Sequence, residues 1–190
     1  GMPQAVNKYL ETNDLSKVDE VKRSIIDLYD DDFHKIDATG RASMMFKAIP
    51  GELSRNATRY AASNATGETH SERLLETIGN MLDSMTINIA YHANDPSVGL
   101  SLHKDIERYK MFVGDTGLFV TLAFLDKDFS SNSLYIKLLS DKLSADLGYV
   151  YENAIAQMLH TAGNELFYYT FKKESSNHYN EVDFLLSRNE

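Results

Sequence analysis

The chain has 190 residues, 43% of them hydrophobic and 25% charged, with a formal net charge of −9 and neither Cys nor Trp. At about 150 residues per domain this length holds one large domain or two small ones, and the composition excludes general disorder. Without Cys there is no disulfide framework, thiolate zinc site or Cys nucleophile, and no apolar run approaches the roughly 18 residues of a membrane span. No signal-type leader opens the sequence, so a soluble cytoplasmic protein with no membrane partner is expected.

In chain order, Pro3 suits a first helical turn, and Ala5, Val6, Tyr9 and Leu10 predict a short amphipathic helix ending near Asn13. Ser16 and Asp19 resemble a capping box for a second helix, whose apolar residues Val18, Val21, Ile25, Leu28, Tyr29 and Phe33 recur at spacings of three and four. It should stop near Ile36. Residues 42–62 predict two short helices broken at Pro50-Gly51, and the polar stretch 64–69 a loop. Ser71 then caps a helix running to Met85. Alternation over 86–93 predicts a strand, Asn94 to Ser97 a turn, and residues 108–113 a second strand.

Helices followed by a helix and a two-stranded ribbon give the order of a winged helix. The helix at 71–85 stands in the recognition position and exposes Glu72, Arg73, Glu76 and Asn80. Two carboxylates against one Arg make a poor reader of the major groove. The acidic excess is also even, with 10 basic and 15 acidic residues in 1–100 and 9 and 13 in 101–190. The densest charge run, Asp30 to Asp32, is acidic and reads as a solvated helix end. DNA is thus a possible partner that charge disfavours, and docking on protein is the better expectation.

Beyond Asp115 the pattern predicts an apolar helix over 117–125, a polar connector over 126–132 and a helix over 134–143. A strong helix follows from about Leu147 to Ala162, closed by Gly163-Asn164. Strands are expected at 165–171 and 181–186, with a turn between them. No P-loop occurs, the six His residues form no His-x-x-x-His pair, and no Gly-x-Ser-x-Gly elbow supports a hydrolytic triad. Glu152 lies in the last helix, and Glu181 and Asp183 share one face of the last strand. A helix carboxylate over a strand carboxylate can hold Mg²⁺, which takes hard oxygen ligands, although exposed carboxylates are commonly just solvated.

The motifs together resemble a known family. Gly1-Met2-Pro3-Gln4-Ala5-Val6, then Tyr9 to Thr12, resembles the segment after the ATPase core of archaeal-type AAA ATPases. Lys110-Met-Phe-Val-Gly-Asp-Thr-Gly-Leu118 is similar to that family's Lys-Leu-Tyr-Phe-x-Asp-x-Gly-Leu signature. Gly148 to Gln157 resembles its Gly-x-x-Phe-Glu-Asn-x-Val-Ala-x-Glu helix, and Phe167 to Thr170 and Glu181 to Phe184 resemble its Leu-Tyr-Tyr-Trp and Glu-Val-Asp-Phe strands.

The resemblance implies an α+β chain. Residues 1–40 would be a helical linker following an ATPase core absent from this sequence, 41–114 a winged-helix-like domain and 115–190 a partial PD-(D/E)XK nuclease-like α/β domain. It maps Glu152 and Asp183 onto the catalytic, metal-binding carboxylates of that nuclease fold. It assigns Mg²⁺ to the intact site and ATP to the absent module. The (Glu/Gln)-x-Lys strand of the nuclease fold has no counterpart after Asp183, and Gln157-Met158 departs from the usual Glu. The expected function is therefore a regulatory or interaction region, catalytically inert as it stands, with the ATPase module or another protein subunit as partner. A metal-dependent nuclease and a DNA-binding winged helix are the alternatives.

Overall fold

A computed structural model describes residues 2–55, 57–97, 99–127, 147–172 and 179–187. The fold is mixed α+β, with helices packed on a four-stranded mixed sheet. Helix α1 spans Pro3–Thr12, with the proline in its first turn, and ends on Asn13 in the left-handed region. Helix α2 (Leu15–Ile36) starts two residues earlier than a Ser16 cap would place it. Asp14 is its cap: its Oδ1 accepts from the Ser16 amide at 2.8 Å and from the Ser16 hydroxyl at 2.7 Å, so Ser16 is a donor to the cap and not the cap itself.

Helix α3 (Arg41–Ser54) corrects the expected break at Pro50-Gly51, since Pro50 lies inside one continuous helix. A proline forfeits one backbone bond and crowds the preceding turn. Here Met45, Phe46 and Ile49 before it and Leu53 after it are all buried in one core, and that burial holds the helix together. The stretch expected as a loop from Asn64 holds part of a short helix, α4 (Ala62–Thr66). Helix α5 (Ser71–Asp83) has no side-chain cap from Ser71. Glu68 instead accepts from the Thr69 and His70 amides, each at 2.9 Å.

Strands β1 (Ile87–Ala93) and β2 (Lys104–Val113) form an antiparallel hairpin, and β2 begins earlier than the expected residue 108. Gly114 closes it against the residues that lead from α5 into β1. Its amide donates to Thr86 O at 2.8 Å, and a Cβ there would sit 3.0 Å from Met85 O, a tight contact with backbone that glycine avoids. Helix α6 (Thr116–Ala123) is capped by Asp115, which accepts from the Leu118 amide at 2.9 Å. Arg23 of α2 donates to Asp19 at 2.7 Å and to Leu125 O at 2.6 Å, placing positive charge at the negative end of α6.

Helix α7 (Gly148–Thr161) and strands β3 (Leu166–Lys172) and β4 (Tyr179–Leu185) complete the described chain. The expected helix at 134–143, and parts of the expected connector and final turn, lie outside the described residues. The sheet order is β2-β1-β3-β4, with β1 parallel to β3 and the other pairs antiparallel. One sheet thus joins a hairpin from the middle of the chain to a hairpin near its end. Helices α3, α6 and α7 pack on β2, and the core runs from Ile26 and Phe33 through Phe46 and Met81 to Phe112, Phe119 and Tyr168. Ala93, Leu100 and Phe167 form a smaller second cluster.

Candidate functional site: a buried lysine among three carboxylates

Residues Tyr109 to Val113 of β2 are all buried, and Lys110 is the charged member of that run. A buried ammonium needs a carboxylate partner or it loses its charge. Two elements supply partners. Helix α7 lays Glu152 over the sheet, and its Oε1 accepts from Lys110 Nζ at 2.8 Å. Strand β4 supplies Glu181, whose Oε1 also accepts from Nζ. The ammonium lies 5.6 Å from the centre of the Tyr168 ring, close enough for a cation–π contribution.

Asp183 is two residues beyond Glu181 on the same face of β4. Glu152, Glu181 and Asp183 each offer an oxygen within 4.8 Å of the others. Glu152 and Asp183, the two carboxylates expected from sequence, therefore do come together, and Glu181 joins them. They line a cavity of about 320 Å³ whose walls include Leu53, Tyr149, Tyr151, Ile155 and Phe184.

The electrostatics follow from this crowding. Burial would lower the affinity of Lys110 for its proton, but the charges and bonds of Glu152 and Glu181 outweigh it and hold the ammonium above its ordinary range. Burial raises Glu181, and the neighbouring Asp183 adds to that, against the pull of Lys110. The cluster carries three carboxylates against one ammonium.

Asn153, fully buried beside Glu152, sets the register between helix and strand. Its Oδ1 accepts from the Val113 amide at 2.9 Å, and its Nδ2 donates to Val113 O at 3.1 Å and to Thr116 Oγ1 at 3.2 Å. One turn on, Gln157 Oε1 accepts from the Thr116 amide and hydroxyl, both at 2.8 Å. These bonds fasten α7 across the end of β2, which brings Glu152 over Lys110. Gln157, which departs from the family-like helix motif, is therefore used structurally.

Carboxylate oxygens are the ligands that Mg²⁺ takes, so the donor set fits a hard divalent cation by its chemistry. Lys110 already occupies one oxygen of Glu152 and one of Glu181, so an ion would have to share both carboxylates with an ammonium. The sequence motifs pointed to Glu152 and Asp183 and missed the part played by Lys110 and Asn153. A lone Lys inside a buried strand pattern was the available signal. On the helix at 71–83, Glu72, Arg73, Glu76 and Asn80 are all exposed, and Arg73 pairs with Glu68 at 3.3 Å.

The fold and site define a mixed α+β domain with a lysine–carboxylate cluster between a helix and two edge-side strands. The family model for a domain of unknown function, DUF8612, matches residues 1–128, and the chain belongs to that family. The match includes Lys110 and Asp115, while Glu152, Glu181 and Asp183 lie beyond it. No curated protein and no solved structure matches the chain. No helix among the described residues is long and apolar enough to cross a membrane.

Proposed function

We propose that the chain is the C-terminal regulatory and interaction region of an AAA-type ATP-binding protein, catalytically inert by itself. On this reading it docks on its own ATPase module or on another protein subunit, in the cytoplasm. The observation that carries the reading is the seat of Lys110. Its ammonium pairs with both Glu152 and Glu181, so one oxygen of each carboxylate is used to fasten α7 and β4 to β2. The family-like motifs support the placement. Lys110 to Leu118, Gly148 to Gln157 and Glu181 to Phe184 hold the residues that build this one cluster and its supports. The helix–hairpin unit of α5, β1 and β2 would be the docking part, and its exposed face mixes Glu72, Arg73, Glu76 and Asn80. Sedimentation of the chain mixed with an AAA-type ATPase module tests the reading. A saturable complex is expected, and two independently sedimenting species would count against it.

A second reading, a metal-dependent nuclease of the PD-(D/E)XK type, is favoured by the three carboxylate oxygens within 4.8 Å. Glu152, Glu181 and Asp183 would hold the ion, which when bound would activate a water molecule for phosphodiester cleavage. Lys110 would orient two of those carboxylates. Plasmid nicking assayed with Mg²⁺ or Mn²⁺ separates the two readings. Nicking that disappears in Glu152→Ala and Asp183→Ala would favour the nuclease, and its absence in the parent chain would favour the interaction region.

A further inference from the structure

The two hairpins of the sheet meet along a short seam. Only Ala90↔Leu166, Tyr91↔Phe167 and His92↔Tyr168 pair β1 with β3. Beyond the last pair, the His92 side chain continues the connection. It is 3% exposed, and its Nε2 accepts from the Thr170 amide at 3.4 Å and lies 3.1 Å from the Thr170 hydroxyl. On the other side of the ring, Nδ1 lies 3.1 Å from Asn94 Oδ1.

The backbone amide of Thr170 can only donate, which makes Nε2 the acceptor and orders the rest of the cluster. Asn94 Oδ1 only accepts, so Nδ1 carries the hydrogen. Arg108 Nη2 donates to Thr170 Oγ1 at 2.8 Å, which leaves the Thr170 hydroxyl hydrogen free to point at Nε2. Both Thr170 donors then face a bare nitrogen, and His92 is neutral. The charged groups around it are Asp105 and Arg108 on β2. The phenols of Tyr168 and Tyr169 flank it from β3, and Glu181 of β4, opposite Thr170, is held by Lys110.

A proton on Nε2 would reverse this arrangement. The new N–H would point at the Thr170 amide, which would lose its acceptor, and a second positive charge would face Arg108 inside a buried site. We propose that His92 is a proton-operated latch on the seam between the two hairpins: neutral, it holds β3 against β1, and protonated, it releases Thr170 and loosens β3–β4 from β1–β2. The Lys110–Glu181 contact spans the same seam, so opening it frees a carboxylate of the cluster. Burial first, and the Arg108 charge second, lower the proton affinity of His92, so the closed state is the one held near neutrality.

Amide hydrogen exchange on the whole chain by NMR tests this, at about pH 7.5 and about pH 5, on either side of the ordinary histidine value near 6.5. After correction for intrinsic rates, protection at Thr170 and Tyr168 is expected to fall at least about tenfold more than at Met111 and Phe112. The difference should vanish in His92→Gln and persist in Glu181→Gln. Equal changes in both hairpins, or an unchanged acid effect in His92→Gln, would overturn the latch. If His92→Gln does not fold, the ring titration of His92 in the parent chain decides. A midpoint below about 6.5 that coincides with the loss of Thr170 protection supports the latch, and a midpoint at or above it overturns it.

Discussion

Lys110 and Asn153 act together, one supplying charge and the other register. Replacing Lys110 by Met would leave Glu152 and Glu181 half-buried without their cation. Breaking a buried pair costs about 3–5 kcal/mol. Since 16% of the Glu152 side chain and 23% of Glu181 remain exposed, about 2–3 kcal/mol is expected, measured by urea denaturation. Adding Glu181→Gln should recover part of that loss, because it removes one of the stranded charges. The pH dependence has a definite sign. The folded-state proton affinity of Lys110 is raised, so its contribution is complete below its ordinary 10.5 and is lost as pH rises through the higher folded value. Asn153→Ala would strand the Val113 amide and carbonyl, at a cost of about 2–3 kcal/mol in the same measurement. Alternation along β4 is enough to place Glu181 and Asp183 on one face, and that much of the site is legible in the sequence. The partnership of Lys110 with Glu152, 42 residues away, depends on how a helix crosses the sheet, which local periodicity does not encode.

At the scale of elements, caps and breaks depend on which side chain reaches which amide. Asp14 rather than Ser16 caps α2, and Glu68 rather than Ser71 orders the start of α5. In both cases the sequence marks the right neighbourhood, and geometry selects the residue. Pro50 shows the opposite limit, where local propensity predicts a break and burial on both sides overrides it. Glu68 makes a prediction at this scale. Its bonds from the His70 amide and ring, with Arg73 and Thr69, pull its carboxyl down from 4.5 to about 2. A depressed carboxyl contributes stability that is present above 4.5 and lost as pH falls through about 2. Glu68→Gln should therefore flatten the acid limb of the stability profile in that window and speed amide exchange in the first turn of α5. An unchanged acid limb would remove Glu68 as the organiser of that helix start.

For the whole molecule, the balance of charge and the single shared sheet set the terms. A net charge of −9 repels polyanions, and the one Arg on the exposed face of α5 is committed to Glu68. A fluorescence titration with duplex DNA should show no saturable binding even at low salt, where counterion release would favour it most. A steep salt-dependent affinity would instead point to a basic face elsewhere than on α5. The seam between hairpins makes β3 and β4 part of one structure with β1 and β2, and the lysine–carboxylate cluster closes that structure from the α7 side. On the proposed reading, this closed structure serves an AAA-type ATPase as a regulatory partner. The most direct measurement is the ATP turnover of such a module against rising concentrations of the chain. A saturable change in turnover is expected, with no hydrolysis by the chain alone; an unchanged turnover across the titration, or ATP hydrolysis by the isolated chain, would rule out the regulatory role.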